Sequence, residues 1–145
     1  MKKAYLCVLL LVAAGCSGQE QTVPGRWYTQ AQVLKGETVF QANCSGCHGG
    51  RAQGLIANWK QRLPNGSYPP PPLNGSAHTW HHPLSVLQQT VKNGSIPLGG
   101  TMPGFRDKLN DAEIDAVISF FQSKWSDAIY QVWQTRGGLS RNLDQ

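Results

Sequence analysis

Long apolar runs are scarce in this chain of 145 residues. The single unbroken one, residues 4–14, is about half the roughly 20 residues that a membrane-spanning helix requires, which argues against a polytopic membrane protein. Beyond Lys2 and Lys3 there is no run of Lys or Arg, so the formal charge of +5 has no basic stripe behind it and nucleic acid is not expected as a partner. Methionine is reduced to Met1 and Met102, and cysteine to Cys7, Cys16, Cys44 and Cys47. No alternation of apolar and polar residues marks a strand or hairpin, and no segment repeats. What is present, 40% hydrophobic residues in a chain of this length, suits one folded domain and is too much for a disordered one.

The N-terminus reads as an export signal. Lys2 and Lys3 form a positive start, residues 4–14 an apolar centre, and Ala13-Ala14-Gly15-Cys16 a small-residue end. That end resembles a bacterial lipoprotein box, with Ala13 where Leu is usual. The resemblance implies that residues 1–15 are a signal peptide and that Cys16 becomes the lipidated first residue, anchoring the protein to a membrane. Ordinary signal cleavage nearby is the alternative. Either way the domain is expected to be exported, to the periplasm or the cell surface. Residues 16–31 are read as a tether, 32–136 as the domain and 137–145 as a tail.

Removing Cys7 with the leader and assigning Cys16 to lipid leaves one pair, in Cys44-Ser45-Gly46-Cys47-His48. In an exported protein this Cys-x-x-Cys-His string signals covalent attachment of haem c. Two thiols three positions apart reach two vinyl groups of one porphyrin, and the adjacent His48 is placed to ligate iron. A thioredoxin-like pair would want a strand before the motif, but a helical pattern stands there. A zinc site would need a second ligand pair, and a structural disulfide leaves His48 unexplained. One such string means one haem.

A second axial ligand is most often Met in cytochromes c. Met102, in the glycine- and proline-rich stretch Gly99-Gly100-Thr101-Met102-Pro103-Gly104-Phe105, is the leading candidate, and His78, His81 and His82 compete with it. Helical patterns flank these residues. Val33, Leu34, Gly36, Val39 and Phe40 lead into Cys44; Pro83 opens a second helix that Gly94 stops; Asn110 and Glu113 cap a third, carrying Ile114, Val117, Ile118, Phe121 and Trp125. The pattern then either continues through Ile129, Val132 and Trp133 or breaks at Ser126-Asp127. Trp27, Trp59 and Trp133 are expected to pack.

Over residues 34–125 the sequence resembles the class I c-type cytochromes. Gly36 and Phe40 precede Cys44 at that family's spacing, Pro71-Pro72-Leu73-Asn74-Gly75 is similar to its Pro-x-Leu-x-Gly segment, and Met102-Pro103-Gly104-Phe105 resembles its bacterial ligand loop. The resemblance implies an all-α, cytochrome c-like domain around one covalently attached haem, in which Gly36 lets the last helix cross the first beside Val117 and Phe120. It further implies that Cys44 and Cys47 hold the porphyrin, that the Pro71 carbonyl accepts from His48 Nδ1, and that His48 and Met102 ligate iron. Two stretches depart from the small members: residues 51–68 are longer, and residues 126–145 run beyond their usual end.

The expected function is single-electron transfer, with other redox proteins as donor and acceptor and no catalysis by the chain alone. The alternatives are a haem subunit of a larger redox enzyme, a small peroxidase, or a metal- or redox-binding module built on His78, His81 and His82, whose clustered imidazoles would suit copper. The run Pro69 to Pro72 is a stiff loop wall or a polyproline ligand. Lys35, Lys60, Lys92, Lys108 and Lys124 scatter along the chain.

Overall fold

The computed structural model describes residues 21–140. Among them are five α-helices and no strand beyond an isolated antiparallel bridge between Thr22 and Thr29, so the all-α architecture is as expected. None of these helices is long and apolar enough to cross a membrane.

Helix α1, Gln30–Asn43, starts three residues ahead of its first apolar position because Thr29 caps it. The Thr29 hydroxyl accepts from Gln32 N and the Gln32 side chain accepts from Thr29 N, satisfying two otherwise orphaned donors. Val33, Gly36 and Phe40 form its buried stripe. A single turn, α2 (Ser45–His48), follows directly. Pro83 precedes α3, Leu84–Asn93, with ψ at 162°, extended as a cap residue must be, and Gly94 ends it at φ 73°. Helix α4, Asp111–Gln122, has the reciprocal Asn110 and Glu113 cap expected of it, with Asp111 and Glu113 at the positive end of the dipole.

The apolar pattern after α4 breaks rather than continuing. Ser126 turns extended at ψ 155°, and its hydroxyl accepts from Ile129 N to start α5, Asp127–Thr135. An available N-cap followed by an acid outcompetes one more turn of α4.

Helices α1 and α4 form the main interhelical packing. A Cβ added to Gly36 would meet the Ala116 carbonyl oxygen at 1.8 Å, so the two backbones are in direct contact there, and the Phe40 and Phe120 rings sit 5.0 Å apart beside the crossing. Around this pair lie Ile114, Val117, Ile118, Phe121, Trp125, Tyr130 and Trp133, all buried.

Both domain boundaries need correction. The expected tether over 16–31 is part of the fold from residue 22 onward: Tyr28 is 2% exposed, Trp27 N donates to Tyr130 Oη, Trp27 Nε1 donates to Gln122 Oε1 at 2.6 Å, and Arg26 lies over the Tyr130 ring and pairs with Asp127. The expected tail over 137–145 also packs at its start, where the Gly138 carbonyl accepts from Leu84 N. The physical reason is α5: its inner face would be bare without the Arg26-Trp27-Tyr28 segment to cover it. The expected signal peptide, the expected lipidation site Cys16 and residues 141–145 lie outside the described residues.

Candidate haem-attachment site

The last turn of α1 delivers the first cysteine. Cys44 N donates to Phe40 O, then Cys47 N and His48 N both donate to Cys44 O, which closes α2 and brings Cys44 and Cys47 onto neighbouring positions of one turn. Both thiols are free, Cys44 buried and Cys47 exposed. Burial, with a smaller contribution from Cys47, pushes the Cys44 thiol up to about 11, so it is protonated at neutral pH.

His48 is 7% exposed, and its Nδ1 lies 2.9 Å from the Pro71 carbonyl oxygen. A carbonyl only accepts, so Nδ1 is the protonated nitrogen. Burial lowers the imidazole below its ordinary value, and the Pro71 bond offsets only part of that. The ring is therefore neutral near pH 7, with its Nε2 lone pair unprotonated, which is the form a metal takes.

The Pro71 segment is itself held at three successive carbonyls. Pro71 O accepts from His48, Pro72 O from Thr79 Oγ1, and Leu73 O from Trp125 Nε1 at 2.7 Å. Leu73 N and Asn74 N both donate to Ala52 O, closing the segment onto the loop that leaves His48. Pro69 and Pro72 are buried, so this proline run is a loop wall and not a free polyproline ligand. The sequence reading did not identify Trp125, Thr79 or Ala52 as supports. Trp125 carried a signal only as an apolar helix position; its indole N–H use depends on where Leu73 lies.

Met102 is carried on a separate strap bonded to the end of α3. Ser95 N donates to Met102 O, Met102 N donates to Ser95 Oγ, and Phe105 N and Arg106 N donate to Val91 O and Lys92 O. Gly94 permits this approach: a Cβ there would meet Met102 O at 2.5 Å. Met102 is half-buried, and like Leu73 it packs against the shared apolar core.

The three histidines do not converge. The His78 ring packs against Trp59 and edge-on to His82, while His81 packs against Trp80. Among the described residues no three His, Cys, Asp or Glu side chains come close enough together to hold a metal ion, so a triple-imidazole centre is not formed. The reason is the short 3-10 turn, Thr79–His81, which projects successive side chains in different directions.

Residues 31–121 match the family described as cytochrome C oxidase, cbb3-type, subunit III. Three curated relatives are each described as a cbb3-type cytochrome c oxidase subunit CcoP. The one from Azospirillum sp. (strain B510) is 32% identical over 96 residues, 66% of this chain and 30% of its own length. That from Azospirillum brasilense is 34% identical over 90 residues, 62% of this chain and 28% of its own. That from Rhodobacter capsulatus is 28% identical over 108 residues, 70% and 32% respectively. The chain thus spans about a third of the length of these relatives. No solved structure matches it. The matched segment encloses the Cys44-x-x-Cys47-His48 turn, the Pro71 support and the Met102 strap, and the chain belongs to this family of c-type cytochromes.

Proposed function

We propose that the chain is a single-electron carrier holding one haem c, exchanging electrons with a partner redox protein at a membrane surface, a terminal oxidase of the kind its relatives are named for being the favoured partner. The observation that carries this reading is the buried, neutral His48, its Nδ1 committed to Pro71 and its Nε2 free, one position after two unpaired thiols on a single helical turn. The donor set fits the group: Cys44 and Cys47 would form the thioethers, and the oriented His48 imidazole and the Met102 thioether would hold the iron. When bound, haem c supplies a one-electron Fe(III)/Fe(II) couple.

The chain's own contributions follow from its chemistry. Pro71 fixes the His48 tautomer and ring plane and increases the electron density at Nε2. The Met102 thioether, a soft and weakly basic donor, favours the reduced state and raises the reduction potential. With His48 and Met102 both holding the iron, no coordination site would remain for peroxide or oxygen, which separates this reading from a small peroxidase. Cys16 is proposed as the lipidated residue that keeps the domain on a membrane, with residues 17–21 as the remaining link.

The test is an optical spectrum of the protein produced with a haem-maturation system, oxidised and reduced, for the wild type and Met102→His. A weak absorption near the red edge of the oxidised wild type, lost in the variant, is the expected result. Its absence from the wild type would remove Met102 as ligand and move the peroxidase reading ahead. Labelling with a tritiated fatty acid, retained by the wild type and lost in Cys16→Ser, is the expected outcome for the anchor; label in neither would remove it.

A further inference from the structure

From Thr38 to Arg106 the sequence contains no aspartate or glutamate, although Arg51, Lys60, Arg62, Lys92 and Arg106 all fall within it. The carboxylates of the described residues sit instead on α1, on α5, and on or just ahead of α4, at Glu37, Asp107, Asp111, Glu113, Asp115 and Asp127. Three of those acids hold a cation: the ion pairs among the described residues are Arg26 with Asp127, Lys35 with Glu113, and Lys92 with Asp111. Arg106 donates to the Asn93 side chain. Of the five cations between Thr38 and Arg106 this leaves Arg51, Lys60 and Arg62; Lys108, Lys124 and Arg136 are likewise without a carboxylate among the described residues, but they lie on three separate segments. Arg51, Lys60 and Arg62 are all exposed, all on the loop that follows His48, and none is paired with a carboxylate among the described residues.

The same loop shapes an open cleft of about 410 Å³, lined by Gln53, Leu55, Ile56, Trp59, Pro72 and Ser76. At its mouth Leu55 is 63% and Ile56 41% exposed. Lys60 stands beside it, and Arg51 and Arg62 lie on the same loop. Gln53, in the cleft wall, accepts from Arg51 N through its side chain; Lys60 Nζ lies 5.4 Å from the Trp59 ring centroid; and Arg62 stacks 4.3 Å above exposed Tyr68. Exposed apolar side chains beside aromatic-backed cations are what protein interfaces are built from.

We infer that residues 51–68 are the docking face through which this carrier meets an acidic surface on its redox partner; this deepens the carrier reading and rests on it. Carboxylates on the partner face Arg51, Lys60 and Arg62, and an apolar side chain enters between Leu55 and Ile56. The three cations raise the encounter rate, while the exposed Leu55 and Ile56 side chains set the lifetime of the complex. The loop leaves His48 directly, through Gly54 N donating to His48 O, so a partner seated there lies against the chain that carries the His48 imidazole. A membrane surface is the less favoured occupant. Segments that bind anionic headgroups carry clusters of about 4–8 basic residues, and a flat headgroup layer does not fill a concave cleft.

The experiment uses the haem-loaded full chain and, as an acidic one-electron protein, a plant-type [2Fe–2S] ferredoxin. Binding to immobilised oxidised ferredoxin is measured by surface plasmon resonance, and reduction by reduced ferredoxin by stopped flow, at low and high ionic strength and equal haem content. The triple reversal Arg51→Glu/Lys60→Glu/Arg62→Glu is expected to weaken binding and slow reduction about tenfold or more at low salt and to remove their salt dependence. Equal reversal elsewhere, Lys108→Glu/Lys124→Glu/Arg136→Glu, is expected to leave both within about twofold. The Leu55→Ser/Ile56→Ser variant is expected to keep the association rate and dissociate several-fold faster.

Equal losses from the two reversals would reduce the effect to net charge and overturn the proposal. Binding of the wild type to phosphatidylglycerol vesicles, but not to ferredoxin, at about 0.15 M salt would give the face to a membrane and overturn it as well. A wild type that binds ferredoxin through this loop yet accepts no electron would sink the carrier reading. Unchanged docking by the triple reversal, with electron transfer intact, would sink this inference alone.

Discussion

Replacing Gly36 with alanine tests the part of the fold on which the haem-attachment turn depends. The added methyl carbon would stand 1.8 Å from Ala116 O, 2.5 Å from Ala116 C and 3.0 Å from Phe120 Cβ. The first two are backbone atoms of α4 and cannot rotate aside, so α1 and α4 must part by roughly 1.5 Å to restore ordinary contact. Overpacking of this kind costs about 1–3 kcal/mol, and a clash with fixed backbone belongs at or beyond the upper end. Alanine's better helix propensity returns about 1 kcal/mol. The net is a destabilisation of about 2 kcal/mol or more, equivalent to a fall in Tm of about 8 °C for a domain of this size. Because α1 runs directly into Cys44, haem incorporation should fall in step. The assay is urea unfolding of the haem-loaded protein followed by far-UV circular dichroism, with Gly46→Ala as control. Nothing lies within 4 Å of a Cβ at Gly46, so that control is expected to be neutral or slightly stabilised. A Gly36→Ala variant as stable as wild type, or more so, would refute the close crossing and with it the geometry assigned to α1 and α4.

Other outcomes are equally specific. The double variant Cys44→Ala/Cys47→Ala, lacking both thiols, is expected to release its haem into acidified organic solvent, where the wild type retains it; retention by the variant would refute thioether attachment. Gln122→Leu removes the acceptor that Trp27 Nε1 uses at 2.6 Å and should cost about 1–3 kcal/mol, an effect absent in a Trp27→Phe background, as read by a double-mutant cycle in urea. Burial first, and the charge of neighbouring imidazoles second, hold His78 and His82 below their ordinary value of 6.5. The unfolded chain then binds more protons than the folded one as pH falls through that value, so the stability tied to these rings is complete above about pH 6.5 and is lost below it. The variant His78→Gln/His82→Gln should flatten the decline of the urea midpoint between pH 7 and pH 5; an unchanged slope would show that these rings are solvated alike in both states.

Much of the architecture was legible in local chemistry. The Asn110 and Glu113 cap, the Pro83 start and the Gly94 stop each satisfy or remove particular backbone groups within a few residues, so they act before any tertiary contact forms. The close crossing at Gly36 was legible through family resemblance, as was the Pro71 carbonyl as partner of His48. The break at Ser126 was not, because the apolar spacing of Ile129, Val132 and Trp133 suits one continued helix as well as two. Choosing between them depends on what α5 packs against. That partner is the Arg26-Trp27-Tyr28 segment, about a hundred residues away in the chain, which the sequence reading placed in a tether. The histidine cluster left its alternatives open for the opposite reason. His78, His81 and His82 are dense in sequence, but a 3-10 turn spreads their rings onto Trp59, Trp80 and one another.

By itself, then, the sequence determined the chemistry and the local elements: two thiols and an imidazole at the spacing of one helical turn, a single methionine outside the initiator, and helices whose ends are set by neighbouring side chains. Only the tertiary structure decided which distant groups meet. It seats Pro71, Pro72 and Leu73 by giving each carbonyl a donor from a different part of the chain, binds residues 22–29 to α5, and leaves Arg51, Lys60 and Arg62, on the loop that forms an open cleft, without carboxylates among the described residues. Such pairings join residues far apart in the chain, and their free energy comes from desolvation and fixed geometry that exist only once the helices have packed.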